Sequence, residues 1–430
     1  MYIHSNDQHY FTHVGRMIKL RQLFLTILLL WSVSAKAQEL RVLTSLPPSV
    51  TDKYLGMFDK TNQGTRVQIL NKNTIAAIDE VLRGNERKFQ IFWSSSPEAF
   101  EILNRNQAFA SPEICGSDGP KSVVSFAVSS IGWAKRNDTT TFMPADWNDL
   151  LKPLYHGKIA MARPARSGTT HMIVEQLLLF RGWQEGWAYL LELSANLSTL
   201  TARSFGVPDG LINNRFEIGL TIDFLSQSQG ETLQFRYGRP LMLVPAQIGI
   251  LRGGDETSNA CDFLKLLLSR KGQLALLSPE ISRIPFDENI RSEIADQLPI
   301  DINNALRLSW LKYDAVITSD RYWAVNVLFD LMITETLNER RALWRRYGAL
   351  KGKVSEAVLD PIKQILTNVI VSEADVAALS QTTQMSSNSS ALTAGGENER
   401  SVISDWRNRV ELQLRQSDIG LSKLEQRVPN

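Results

Sequence analysis

The stretch Lys158-Ile159-Ala160-Met161-Ala162-Arg163-Pro164-Ala165-Arg166-Ser167-Gly168-Thr169-Thr170-His171 decides the fold. From Lys158 to Ala162 it is short and mainly apolar, the length of a buried strand rather than of a helix. Arg163-Pro164 ends that run, because proline removes a ladder donor and biases its predecessor toward extended backbone. Ser167-Gly168 then makes a turn, and from Thr169 to Phe180 the apolar residues keep helical spacing. Strand, polar turn and helix in that order are half of a βαβ unit, so the chain reads as α/β.

The same alternation extends outward on both sides. Upstream, Leu40–Thr44, Arg66–Leu70 and Gln90–Trp93 are strand-like. Between them lie helical faces carrying Val50, Tyr54, Leu55 and Phe58, then Ile75, Ile78, Val81 and Leu82. Downstream come a helix at Trp187–Ser194 and strands at Leu200–Ser204 and Gly219–Phe224. Such alternation predicts mostly parallel sheets covered on both faces. Two longer apolar runs, Val123–Ala134 and Leu241–Leu251, read as crossings between lobes. The chain thus builds a first lobe from residues 38–130 and 241–285, and a second from 131–240. A helix over Ala260–Leu277 follows the return. In open α/β sheets ligands bind beyond the carboxyl ends of strands, which puts Ser45 and Ser95 among the first lobe's candidate contacts.

Residues 286–380 read as a helical extension, with one long helix from about Ser319 to Tyr347. Residues 381–400 are rich in Ser, Thr, Asn and Gly and read as a flexible linker. In the tail, 401–430, Ile403, Trp406, Val410 and Leu414 mark an amphipathic helix. A helix of this kind either docks on a partner or folds back on the body.

Arg16, Lys19 and Arg21 precede the apolar run Leu23–Trp31, and Ala35-Lys36-Ala37 supplies small residues before Gln38. These are the parts of a secretory signal peptide over 1–37, with Met17 as an alternative start. The expected compartment is the periplasm. The formal charge is +2, and removing residues 1–37 leaves about −1. A balance so near neutral argues against a nucleic-acid partner. The only cysteines, Cys115 and Cys261, are an even pair in an oxidising compartment, so one disulfide or two buried thiols are the two readings.

The Arg166–Thr170 segment carries chemistry. A glycine-containing turn entering a helix aims free backbone N–H groups at an anion, helped by the helix dipole. Ser167, Thr169 and Thr170 add hydroxyls around Gly168, and Arg166 or Arg163 can fork onto two anionic oxygens. The plain alternative is a capped helix start beside a surface arginine. Arg203-Ser204, at a strand end, is the second cationic contact. Asp223 either accepts from a ligand hydroxyl or serves as a hinge contact. His171 has no metal-ligand spacing around it, and hydrogen bonding is the expected role. No cofactor and no metal site are expected.

Several segments then resemble a known family. Asp146-Trp147-Asn148-Asp149-Leu150-Leu151, Tyr155-His156-Gly157-Lys158-Ile159-Ala160 and Arg166-Ser167-Gly168-Thr169-Thr170 resemble the opening of the second lobe in type 2 periplasmic binding proteins. Leu268-Ser269-Arg270-Lys271-Gly272-Gln273 resembles their returning helix. Within that family, Arg166–His171, Arg203–Gly210 and Ser278–Arg283 are similar to the phosphoglycerate transport regulatory proteins. The resemblance implies a two-lobed, hinge-closing binder of a small phosphorylated organic anion. It also implies a membrane sensor or transporter as partner, with the protein itself a monomer. The competing reading is the substrate-binding component of an importer for ferric iron or another anion. Iron binders of this fold use adjacent tyrosines where this chain has Ile222-Asp223-Phe224-Leu225. An enzyme is not expected, because no nucleophile elbow, Walker loop or His-Glu-x-x-His is present.

Overall fold

The computed structural model describes residues 38–62, 64–254, 258–307, 313–385 and 397–428. The signal segment expected over 1–37 and the middle of the expected linker lie outside the described residues.

Among the described residues eleven strands form two sheets. The first contains β1 (Gln38–Thr44), β2 (Thr65–Asn71), β3 (Ile91–Ser94), β4 (Val123–Ser129), β10 (Val244–Ile250) and β11 (Ile284–Pro285), in the order β11-β4-β10-β3-β1-β2. The second contains β5 (Ile131–Arg136), β6 (Ile159–Ala162), β7 (Leu197–Thr201), β8 (Ile218–Ile222) and β9 (Leu233–Tyr237), in the order β7-β6-β8-β5-β9. β1, next to the edge strand β2, is parallel to both neighbours, with Val42 between Ile69 and Ile91. Trp93 on β3 is fully buried and meets Tyr54, Phe126 and Phe263 edge-on at 5.5–5.7 Å. Aromatic contacts of this geometry add to the area that the rings bury.

The sheets are mixed rather than mostly parallel. β10 runs antiparallel to β3 and β4, and β5 runs antiparallel to β8 and β9. These are the strands that arrive from the other lobe, so they run away from the crossing. Strands of βα units run toward it. The crossing falls at Ser130. Its N–H donates to Asp223 Oδ2 at 2.9 Å, its carbonyl accepts from the Asp223 N–H, and its hydroxyl donates to the Met242 carbonyl. One residue thus ties together the two points where chain passes between sheets and the carboxyl end of β8.

Other elements differ in extent from the sequence expectation. The strand expected at Leu200–Ser204 is β7, three residues earlier, and the one expected to reach Phe224 stops at Ile222, with Asp223 starting a short helix. The helix over Ala260–Leu277 is two, Ser258–Leu268 and Arg270–Ala275, because extended Ser269 caps the second through the Gly272 N–H. Instead of one helix from Ser319 to Tyr347 there are Ala315–Asp320, Tyr322–Phe329, a π-helical turn Asp330–Thr334, and Leu337–Leu350. The breaks follow tertiary demands: Arg321, at the first, sends its guanidinium onto buried Glu175, and Asp330, at the second, meets Arg163.

The helical extension is continuous with the second lobe. One apolar cluster joins Trp133, Trp187 and Ile222 to Val325, Phe329, Trp344, Leu366 and Trp406. The helix Glu397–Glu425 lies back on the body, burying Trp406, Val410, Leu414, Leu421 and Leu424. Fully buried Arg340 donates to Gln413 Oε1 of that helix at 2.7 Å and to the Leu366 carbonyl at 3.1 Å. Helix Ala315–Asp320 packs against helix Pro97–Arg105 of the first lobe, where Arg105 bonds Asp320 and the Val316 carbonyl. Cys115 and Cys261 are joined in a disulfide inside the first lobe. No described helix is long and apolar enough to cross a membrane.

Candidate functional site

The carboxyl ends of β1, β2 and β3 face those of β6, β7 and β8 across a cleft. It spans about 450 Å³, counting the part open to solvent. The first lobe lines it with Ser45, Asn73, Thr74 and Ser94–Ser96, and the second with Arg166–Thr169, Arg203 and Ser204. Phe205, Phe224 and Leu225 supply apolar wall. Hydroxyls and guanidinium groups therefore dominate a small space, a composition suited to a hydrated anion.

On the second lobe, Pro164–Arg166 is a single 3₁₀ turn leading into the helix Gly168–Arg181. Ser167 caps that helix, accepting from the Thr170 N–H at 3.1 Å and from the Thr170 hydroxyl at 3.0 Å. The cap leaves the Gly168 and Thr169 amides without an intrahelical partner, next to Arg166. Arg166 is exposed to the cleft and, among the described residues, carries no ion pair. Arg203 is half-buried and stacks on Phe205, with 4.8 Å between guanidinium carbon and ring centre. Burial pulls its pKa below the usual arginine range, and the Arg166 charge pulls it the same way.

Contacts across the cleft show that the two walls are close. Arg203 Nη2 donates to Asn71 Oδ1 at 2.8 Å and to the Lys72 carbonyl at 3.3 Å. A Cβ on Gly168 would stand 3.1 Å from Thr74 Oγ1 and 3.2 Å from Ser96 Cβ. On the first lobe, Ser45 and Ser94 share a hydrogen bond of 2.8 Å, and Ser96 donates to Glu98 Oε2 at 2.7 Å. Glu98 is fully buried with Oε1 unpartnered, and burial pushes its carboxyl up to about 8.

Of the residues singled out from sequence, Ser45, Ser95, Arg166, Ser167, Gly168, Thr169, Arg203 and Ser204 line this cleft. Thr170 does not: it is buried against the Ser167 cap. Asp223 does not either. It is 1% exposed, with Oδ2 on the Ser130 N–H and Oδ1 on the Phe224 N–H, beside the crossing and outside the cleft lining. Burial pushes it up to about 7 against those hydrogen bonds and the Arg283 charge. Arg163 is turned away, paired with Asp330. His171 is fully buried, with Nδ1 3.2 Å from Asn326 Oδ1 and its ring 4.1 Å from Tyr322. Desolvation lowers it to about 3, so it is neutral. Among the described residues no group of three or more His, Cys, Asp or Glu is placed to hold a metal ion.

Sequence reasoning missed Asn73 and Thr74, although both follow β2 and the strand-end rule that found Ser45 covers them equally. It also missed Phe205 and Phe224, which nothing in their spacing distinguishes from core aromatics. Arg283, behind Ser95, was noticed only as part of a motif.

A family profile described as bacterial extracellular solute-binding protein matches residues 50–278, more than half of the 430. The chain is 28% identical over 362 residues to the phosphoglycerate transport regulatory protein PgtC of Salmonella typhimurium, spanning 80% of this chain and 88% of that one. The periplasmic binding protein AfuA of Actinobacillus pleuropneumoniae, solved with exogenous fructose-6-phosphate bound, superposes with a TM-score of 0.53 at 16% identity, over 59% of this chain and 86% of that one. The apo ferric ion-binding protein A of Pasteurella haemolytica superposes with a TM-score of 0.54 at 16% identity, over 68% and 97%. Identities this low establish a shared fold and nothing finer.

Proposed function

The chain belongs to the bacterial extracellular solute-binding proteins, and from that premise we propose that it captures a small phosphorylated organic acid in the periplasm and signals the capture to a membrane regulatory partner. Family members of this kind bind solutes and do not transform them. The observation that carries the reading is the pairing of Arg166 with Arg203. Two guanidinium groups from neighbouring strand ends face one hydroxyl-lined space, and neither has a carboxylate partner among the described residues. Like charges held together in this way repel unless an anion sits between them. The capped helix start at Ser167 adds oriented amides to the same spot. 3-Phosphoglycerate has negative charge at both ends and a hydroxyl between, which suits a cleft with cations on one wall and serines on the other. The name of the Salmonella relative supports the same ligand class and a regulatory role.

Capture works by closure. Ligand contacts made to both walls stabilise the shut form over the open one by the difference in affinity between the two. The second reading, ferric iron, is supported only by the fold that this chain shares with ferric-binding proteins, and the cleft lining includes no tyrosine.

The test is a thermal-shift and calorimetric screen with 3-phosphoglycerate, 2-phosphoglycerate, phosphoenolpyruvate, hexose phosphates, inorganic phosphate and ferric citrate. At about 100 times Kd a ligand adds about 2.7 kcal/mol to stability. Stabilisation by phosphoglycerates that disappears in Arg166→Ala is the expected result. Stabilisation by ferric citrate alone would overturn the reading.

A further inference from the structure

Arg283 lies between helix Arg270–Ala275 and β11, and it is 1% exposed. Among the described residues no carboxylate comes within ion-pair distance of it. Its Nη2 donates to Ser95 Oγ at 2.8 Å, while Nε and Nη1 are buried without any acceptor. The guanidinium lies 3.6 Å from the centre of the Phe224 ring. Ser95 and Phe224 both line the cleft, one from each lobe. Arg283 is therefore a buried cation directly behind the cleft wall.

The neighbouring Asp223 carboxyl does not satisfy it. Asp223 adjoins Phe224, but its two oxygens are occupied by the Ser130 and Phe224 amides. Burial pulls Arg283 down to about 9, with Asp223 and Tyr54 acting in the opposite direction, so it is charged at neutral pH. A buried guanidinium with two unused donors costs several times what an exposed one does, and an incoming anion removes that cost. Nη1 is one prong of the end-on fork that matches a carboxylate, and Nη2, bonded to Ser95, is the other.

We propose that Arg283 receives the carboxylate end of the ligand beside Ser95, while Arg166 and Arg203 hold its phosphoryl end. The inference rests on the phosphorylated-acid reading above and narrows it. The ligand class becomes short molecules with a phosphoryl group at one end and a carboxylate at the other, and simple phosphate esters are discriminated against. Ser95 is the element that makes the contact specific, because its hydroxyl fixes the guanidinium plane.

Two ligands that differ in the acid group test this: 3-phosphoglycerate and glycerol 3-phosphate, titrated calorimetrically into the full mature chain. The native protein is expected to prefer the acid on the order of 100-fold, the scale of charge-assisted hydrogen bonds to a buried cation. Arg283→Met is expected to erase that preference by weakening phosphoglycerate alone, and Arg166→Ala to weaken both ligands alike. Arg283→Lys keeps the charge but loses the fork, and it decides the matter if the methionine variant fails to fold; its preference is expected to fall about tenfold. Equal affinity of the native protein for the two ligands, or a preference unchanged in folded Arg283→Lys, overturns the role of Arg283 and leaves the phosphate reading standing. Failure of both ligands to bind the native protein overturns both.

Discussion

Arg163 and Asp330 form a two-pronged ion pair in which Nε meets Oδ1 and Nη2 meets Oδ2, each at 2.6 Å. Arg163 precedes the 3₁₀ turn Pro164–Arg166, and Asp330 opens the π-helical turn Asp330–Thr334. The pair therefore fastens the helical extension to the base of the Arg166–Thr170 loop. It also neutralises one of the two arginines that sequence offered for anion contact, leaving Arg166 to act alone on that loop.

Removing the counter-charge tests the fastening. Asp330→Ala is expected to destabilise the chain by about 1–3 kcal/mol, since Asp330 is largely buried and the pair is bidentate. Urea unfolding measures this directly. A midpoint equal to that of the native chain would mean that solvent replaces the pair without loss.

Closure can be blocked sterically at Gly168. A methyl group there meets Thr74 Oγ1 at 3.1 Å and Ser96 Cβ at 3.2 Å, both on the opposite wall. Gly168→Ala is expected to weaken ligand binding about tenfold or more while leaving the unliganded melting temperature within about 2 °C. Small-angle scattering should show less ligand-induced compaction than in the native chain. Equal compaction would show that the walls yield.

The pH dependence of stability follows from buried carboxyls. Burial raises Glu98 to about 8 and Asp223 to about 7. Each stays protonated in the folded chain at pH values where the unfolded chain has released its proton. Their stabilising contribution is complete below the ordinary carboxylate range and is lost as pH rises through about 7 to 8. Glu98→Gln removes one of the two, so its stability should fall less steeply, with a gain over the native chain on the order of a few kcal/mol near pH 8. Parallel stability curves from about pH 5 to about pH 8 would contradict the burial argument.

The disulfide joins residues 146 positions apart within one lobe. Replacing Cys115 and Cys261 by serine is expected to cost about 2–4 kcal/mol in unfolding free energy, mostly through the unfolded state. Ligand affinity should be unchanged, because neither cysteine approaches the cleft. Loss of affinity in the folded double variant would mean that the bridge shapes the site.

The lobes and most of the cleft were legible because their signals are local. Lys158–Thr170 announces strand, turn and helix by itself, and the strand-end rule brings Ser45, Ser95 and Arg203 to one place. What escaped the sequence depends on long-range partners. Nothing local says that one oxygen of Asp223 will accept from Ser130, 93 residues away, or that Arg163 will turn to Asp330, 167 residues away. The breaks at Arg321 and Asp330 are equally hidden, since each local pattern is helical and only the polar group beneath interrupts it. Arg283 escaped because a lone arginine before a two-residue strand resembles any surface cation.

The apolar cluster shared by the second lobe and the C-terminal helices divides the molecule unevenly at Ser130. Everything from β5 to β9, together with the helices beyond Ala315, forms one heavy platform, and in the proposed closure the first lobe is the light arm that swings against it. A partner gripping only the platform would feel the same surface whether the cleft is full or empty. Any receptor that distinguishes those conditions must straddle the moving joint. Part of that joint is the seam where the arm's helix Pro97–Arg105 meets the platform's helix Ala315–Asp320.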